Sequence, residues 1–224
     1  MKNFSENNLV KLFSSRRLNS YKYGDVSSDA IALERYLYNI ELSKSLYPLL
    51  SILEISLRNR IDEAIETIIQ KNWLINELDN SNILLPNEHK KLVEAKHKLL
   101  KKGHINFGKN DLIAELSLGF WIHLCTKRYK TKLWHKQGFF RIVFSDYPNF
   151  SEFDKLSKIF PILNLMLKLR NRIFHHEIII NHPYGIDNCY RDLRKLLGYI
   201  SNDSVLYLDK ICDFDKVLTE QKPQ

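Results

Sequence analysis

From Ser28 onward the apolar residues recur at close to every 3.6 positions: Ile31, Leu33, Leu37, Ile40, Leu42 and Leu46, then Leu49, Leu50, Leu53, Ile55, Leu57, Ile61, Ile65 and Ile68. Sustained over roughly 40 positions, this recurrence predicts one long helix or two nearly continuous ones. Pro48 is the breaker within the run, where it either kinks the helix or opens a second one at its first turn. Ser27, Ser28 and Asp29 bring N-capping chemistry just before the run, and Trp73 lies beyond its end. Residues 76–86 read as a polar turn, Asn87 to Lys102 as a basic helix stopped by Gly103, and residues 103–110 as a loop. Asp111 then caps a helix through Leu112, Leu116, Trp121 and Leu124, and Tyr129 to Phe144 is a short helical stretch interrupted near Gly138. Helix is expected again from Phe153 to about Ile180, with Pro161 early or at a kink, and Asp187 to Ile200 closes the set. No Asn-Gly or Asp-Gly hairpin signal occurs. The expectation is an all-α bundle of about five to seven helices in one domain spanning residues 1–224.

Composition sharpens this picture. Only 7 Gly and 6 Pro in 224 residues disfavour turn-dense β sandwiches and Gly-rich phosphate loops. No apolar run approaches the roughly 18 residues of a membrane span, and the first residues lack the apolar stretch of a secretion signal. Cys125, Cys189 and Cys212 show no CxxC spacing, so neither a disulfide framework nor a thiolate zinc site is expected, and a reducing cytoplasm is the expected compartment. The charge is unevenly placed: residues 87–141 hold 13 of the 34 Lys/Arg but 4 of the 26 Asp/Glu, and so account for the whole net +8. Clustered cations of this kind fit a polyanion such as nucleic acid, the plainer alternative being a solvated basic helix face.

The candidate chemistry lies in residues 162–182. On a helix, Ile162, Met166, Leu169 and Ile173 form a buried stripe and leave Arg170, Asn171 and His175 on other faces. Asn171 and His175 stand four apart, so the amide can hydrogen-bond the imidazole and set its tautomer. Arg170 and Glu177, seven apart, suit an ion pair if the helix persists. Arg170 and His175 are separated by about 140° around the axis, which argues against a one-face site unless a second helix or subunit contributes. For these residues alone the plainer reading is an exposed polar helix end, with His175 and His176 favoured at a C-terminus. His176-Glu177 opens like the zinc motif HExxH, but the second histidine would fall at Ile180, so no metal is expected. Walker, dinucleotide and nucleophile-elbow motifs are absent, and no cofactor is called for.

The stretch Leu169-Arg170-Asn171-Arg172-Ile173-Phe174-His175-His176-Glu177 resembles the LRNRxxHHE signature of Abi-like proteins, the AbiD/AbiF group of bacterial abortive-infection proteins within the HEPN superfamily. Further segments are similar in the same order. Arg16 to Tyr21 resembles RL-x-x-Y, Ala32 to Asn39 resembles AL-x-LY-x-WN, Leu53 to Asn59 resembles LEV-x-LRN, and Asp111 to Trp121 resembles DLVAELSFGFW, followed by Leu133-Trp134. Tyr38, Leu118 and Ile178-Ile179 depart from the residues common there. The resemblance implies a HEPN-like helical bundle with extra helices, arranged as a symmetric homodimer. It also implies metal-independent cleavage of RNA by an endoribonuclease toxin in anti-phage abortive infection. Carried over residue by residue, it makes Arg170 and His175 catalytic, with Asn171, His176 and Glu177 supporting. Glu54 and Arg58, four apart, either pair with each other or brace the site.

RNA is then the expected substrate, with Lys90, Lys91, Lys96, Lys98, Lys101, Lys102, Lys127, Arg128, Lys130 and Lys132 tracking phosphates, and Tyr129 and Trp134 available to stack bases. For Trp121 and Trp134 core packing is the favoured reading. An RNA or protein antitoxin is the expected regulatory partner, and a non-catalytic RNA-binding or protein-interaction module is the competing class.

Overall fold

The computed structural model describes residues 6–24, 28–152 and 154–220, and among these every regular element is helical. The short helices α1 (Glu6–Phe13) and α2 (Ser15–Asn19) precede α3 (Asp29–Ile68), which runs for 40 residues without interruption. After it come α4 (Trp73–Asp79), α5 (Pro86–Lys101), α6 (Lys109–Glu115) and α7 (Leu118–Leu124). A 3-10 turn (Lys127–Tyr129) and a π-helical turn (Lys130–Trp134) lead into α8 (Phe139–Val143), followed by α9 (Lys155–Phe174), α10 (Ile186–Ile200), α11 (Asn202–Leu208) and α12 (Phe214–Glu220).

α3 is one helix because its buried side chains keep helical phase through the proline. Leu42, Leu46, Leu49, Leu50, Leu53, Leu57, Ile61 and Ile65 are all buried, with α7, α8, α10 and α12 packed against them. Pro48 removes one intrahelical hydrogen bond and costs about 3 kcal/mol. Burying Leu46, Leu49 and Leu50 around it contributes about 1.5–3 kcal/mol each, which outweighs that cost. Ser28 occupies the N-cap without a side-chain cap bond, and Ser27 lies outside the described residues. A second, smaller cluster of Leu18, Tyr21 and Ala32, joined by Phe13, Tyr36, Ile178 and Ile180, docks α1 and α2 onto the start of α3.

Several elements differ from the pattern-based expectation. Residues 73–79 form α4, because Glu77, which reads as a polar turn residue, is wholly buried. Its carboxylate accepts hydrogen bonds from the N–H groups of Asn82, Ile83 and Leu84 at 2.9, 2.7 and 2.8 Å and so caps the loop that launches α5. The stretch expected to be one helix after Asp111 divides into α6 and α7 at Leu116, and Asp111 sits inside α6, where its side chain accepts the Gly108 N–H at 2.8 Å. α11 and α12 lie beyond Ile200, where the apolar pattern predicts no further helix. In α9 the core stripe is Leu156, Ile159, Leu163, Met166, Leu169 and Ile173, with Ile162 only partly buried; Pro161 lies well inside the helix, and Phe153 is outside the described residues.

Replacing Glu77 by Ala should destabilise the fold by about 2–4 kcal/mol, since three backbone donors lose the carboxylate that accepts them, and Glu77→Gln should cost less. Urea unfolding of the three proteins measures both.

Candidate functional site

α9 stops at Phe174 because the next residues form a Schellman turn. The His176 N–H donates to the Ile173 carbonyl at 3.0 Å and the Glu177 N–H to the Arg172 carbonyl at 2.8 Å. That turn needs a left-handed residue, and His176 supplies it with φ +55°, a position usually given to glycine. His175 is the helix C-cap, its N–H donating to the Asn171 carbonyl at 2.9 Å, and its imidazole is exposed.

Two side chains from elsewhere hold the backbone that follows. The buried amide of Asn39, on α3, accepts from the Ile179 and Ile180 N–H groups at 2.7 and 3.3 Å and donates to the Glu177 carbonyl at 3.2 Å. The Arg17 guanidinium donates to the His176 carbonyl. Asn39 belongs to one of the quoted resembling segments, yet the apolar pattern assigns it no role. An asparagine in phase with a buried helix face was the available signal.

The structure redistributes the expected ion pairs. Arg170 reaches Glu54 on α3, with Nε 3.4 Å from Oε2 but not aligned for a hydrogen bond, and its guanidinium lies 4.1 Å from the centre of the Phe174 ring. Glu54 therefore braces Arg170 rather than pairing with Arg58, whose Nε has no hydrogen-bond partner among the described residues. Glu177 faces Arg172 at 3.4 Å instead of Arg170, because the helix ends before the seven-residue spacing can apply. The Asn171 side chain is exposed and makes no hydrogen bond to His175 among the described residues; only its carbonyl touches that residue, through the backbone N–H. Arg170 and His175 are likewise not in contact within this chain by any described hydrogen bond or ion pair. Beside the Glu54–Arg170 pair, α3 presents Leu37, Ile40, Tyr47 and Ile55 on one face, and these together with Phe174 are 42–53% exposed. Tyr47 and Phe174 have ring centres 5.9 Å apart, so the apolar strip continues onto the motif itself.

The basic segment divides into free and committed cations. Lys90, Lys98, Lys101, Lys127 and Arg128 are exposed and lack an acidic partner among the described residues. Lys102 is paired with Glu115, Lys130 with Asp154 at 2.5 Å, Lys91 faces the His123 Nδ1 at 3.2 Å, and Lys132 donates to the Asn82 carbonyl at 2.6 Å. Lys96 instead lines a surface cleft with Ile105 and Phe107. Neither aromatic candidate is available to a base. Tyr129 is buried, its hydroxyl donating to Glu88 and accepting the Leu85 N–H, both at 2.9 Å, and burial pushes its ionisation well above the ordinary phenol range. Trp134 is buried and donates to the Leu124 carbonyl at 2.7 Å, and Trp121 is core. Asp154, the partner of Lys130, begins α9, whose length puts it about 30 Å from His175. Lys127, Arg128 and Lys130 thus lie by the start of α9, at the opposite end of that helix from His175.

Among the described residues no three His, Cys, Asp or Glu side chains converge to hold a metal, and no helix is long and apolar enough to cross a membrane. Comparison of the chain with family models, with curated proteins and with solved structures returns no match.

Replacing Asn39 by Ala should destabilise the protein by about 2–3 kcal/mol and speed hydrogen exchange at the Ile179 amide, because a buried N–H loses its acceptor. Asn39→Asp keeps that acceptor and should protect Ile179 better. Equal exchange in all three proteins would show that the turn is held by other contacts.

Proposed function

We propose that this chain is a metal-independent endoribonuclease of the HEPN type, a toxin of anti-phage abortive infection that cuts RNA with Arg170 and His175. The observation that carries the reading is the state of these two side chains. Arg170 is held partly buried by Glu54 and by the Phe174 ring, and His175 stands exposed at the end of the same helix. RNA brings its own nucleophile, so the chemistry needs no activated water. A base takes the proton from the 2′-OH, the oxygen attacks the adjacent phosphorus, and the 5′-oxygen leaves with a proton from an acid. The products are a 2′,3′-cyclic phosphate and a 5′-hydroxyl. His175 supplies one of the proton transfers, and the Arg170 guanidinium stabilises charge on the phosphoryl oxygens.

A separation of about 140° keeps Arg170 and His175 of one helix apart. In the proposed HEPN-like arrangement a symmetric homodimer supplies the remedy, two motifs facing each other across one groove. The exposed strip of Leu37, Ile40, Tyr47, Ile55 and Phe174 beside the motif supports this, being an apolar face of the kind that marks an interface. The competing reading, a binding module restrained by an RNA or protein antitoxin, is favoured by the free Lys90, Lys98, Lys101, Lys127 and Arg128.

Incubation with total cellular RNA in EDTA should give cut ends with wild type, and His175→Ala should lose about 100-fold or more activity with its unfolding midpoint unchanged. Arg170→Lys should also lose most activity, because an ammonium lacks the bidentate fork. Undiminished cutting by a folded His175→Ala protein would end the reading. Mixing wild type with excess His175→Ala chains tests the shared groove. After subunit exchange, activity should follow the fraction of wild-type homodimers, whereas loss merely proportional to wild-type chains, with a monomeric mass in solution, would refute it.

A further inference from the structure

Behind the motif, α2 and the Schellman turn form a half-open cavity of about 290 Å³ lined by Arg17, Ser20, Tyr21, Arg172, His176 and Glu177. Its polar groups are mostly donors, and two of them are unsatisfied among the described residues. Among the described residues the Tyr21 hydroxyl is buried without a partner, and so is the Arg172 Nε, although the Glu177 carboxylate lies 3.4 Å away out of alignment. Buried donors left over in this way are uncommon in folded proteins and point to a missing acceptor. Two arginines and one carboxylate line the cavity, and that carboxylate is about half exposed, so the cavity keeps a net positive charge. An acceptor-only anion is the ligand that such a set of donors fits.

Its place relative to the motif selects the anion. Arg172 and His175 are three residues apart at the end of α9, which puts them on neighbouring positions of one helix face, whereas Arg170 points elsewhere. A strand whose scissile phosphate meets His175 therefore brings an adjoining phosphate to Arg172. We propose that this cavity is a phosphate subsite for the nucleotide next to the cleaved bond, with Arg17 and Arg172 as its cations and the Tyr21 hydroxyl as its neutral donor. The assignment rests on the RNA-cleaving reading above. Burial pushes the Tyr21 phenol up to about 12, even with the Arg17 guanidinium drawing it down, so the hydroxyl stays protonated and able to donate. Arg17 has two tasks here, since it also holds the His176 carbonyl.

The test is binding of a 12-nucleotide single-stranded RNA, fluorinated at every 2′ position so that it cannot be cut, followed by fluorescence anisotropy across a potassium chloride series. Arg172→Ala should flatten the slope of log affinity against log salt by about 0.7, the loss of one phosphate contact on a single strand, while Arg172→Lys keeps it. Arg17→Ala should act in the same direction. Tyr21→Phe should weaken binding several-fold with the slope unchanged, because the lost donor is neutral. Arg172→Ala carries the test if Arg17→Ala fails to fold. Unchanged slopes in folded variants, or wild type that does not bind this RNA, overturn the subsite. So does Tyr21→Phe that binds like wild type and merely melts higher. If inorganic phosphate raises the melting temperature of wild type but not of Arg172→Ala, while RNA binding ignores Arg172, the cavity takes a free anion and the proposal is also overturned. Cleavage of total RNA is scored separately: flattened slopes without cleavage support the subsite and remove the nuclease, and cleavage with unaltered slopes does the reverse.

Discussion

A helix of 40 residues is about 60 Å long, and α3 must hide a continuous apolar face along that length. No single partner covers it. α7, α8, α10 and α12 each take a part of its surface, and the chain doubles back several times to bring them there. This requirement explains why so many of the remaining helices are short: they are patches fitted to one long template. It also explains why a proline is tolerated within α3, where leucines packed on either side hold the helix together across the missing hydrogen bond.

The candidate site is a by-product of that template. Asn39 grips the backbone after the motif and Glu54 grips Arg170, and the two stand about 22 Å apart along α3. The end of α9 is thereby fixed from two directions, in backbone position and in side-chain direction. A histidine at φ +55° costs about 1 kcal/mol where glycine would cost little. The hydrogen bonds that Asn39 and Arg17 make to the same turn are of the size needed to offset it. Exposed imidazoles on a rigid turn are well suited to meeting a ligand, since little ordering is left to be done on contact.

Much of the architecture was legible in the apolar period. α3, α5, α9 and α10 are long and strongly phased, and the pattern located each of them. What escaped was set by polar side chains that periodicity does not weigh. Glu77 reads as solvent-facing but is buried under three backbone donors, so α4 was missed. The end of α9 carries no glycine or proline to announce it, so the pattern carries the helix on toward Ile180 and pairs Arg170 with Glu177; Asn171 keeps its four-residue register with His175, but both side chains turn to solvent. Tyr129 and Trp134 were open to either role from sequence alone, and only the packing around Glu88 and Leu124 assigns them to the interior. Of the ten cations expected on the RNA path, Lys102 and Lys130 neutralise a carboxylate and Lys91 and Lys132 meet other polar partners among the described residues, which clustering in sequence does not reveal.

The distance between Asn39 and Glu54 along α3 also bears on how this protein can change its length. Adding or removing one residue there would turn everything beyond it by about 100° and shift it by about 1.5 Å. The anchor and the brace would then face different directions, and the leucines beyond the change would leave the core. Seven residues nearly restore the rotation but add about 10 Å of length, which the turn after α9 has no slack to follow. Insertions and deletions should therefore be excluded from the stretch of α3 between Asn39 and Glu54 and accumulate instead in exposed connections such as residues 103–106, where loop closure is a weaker constraint.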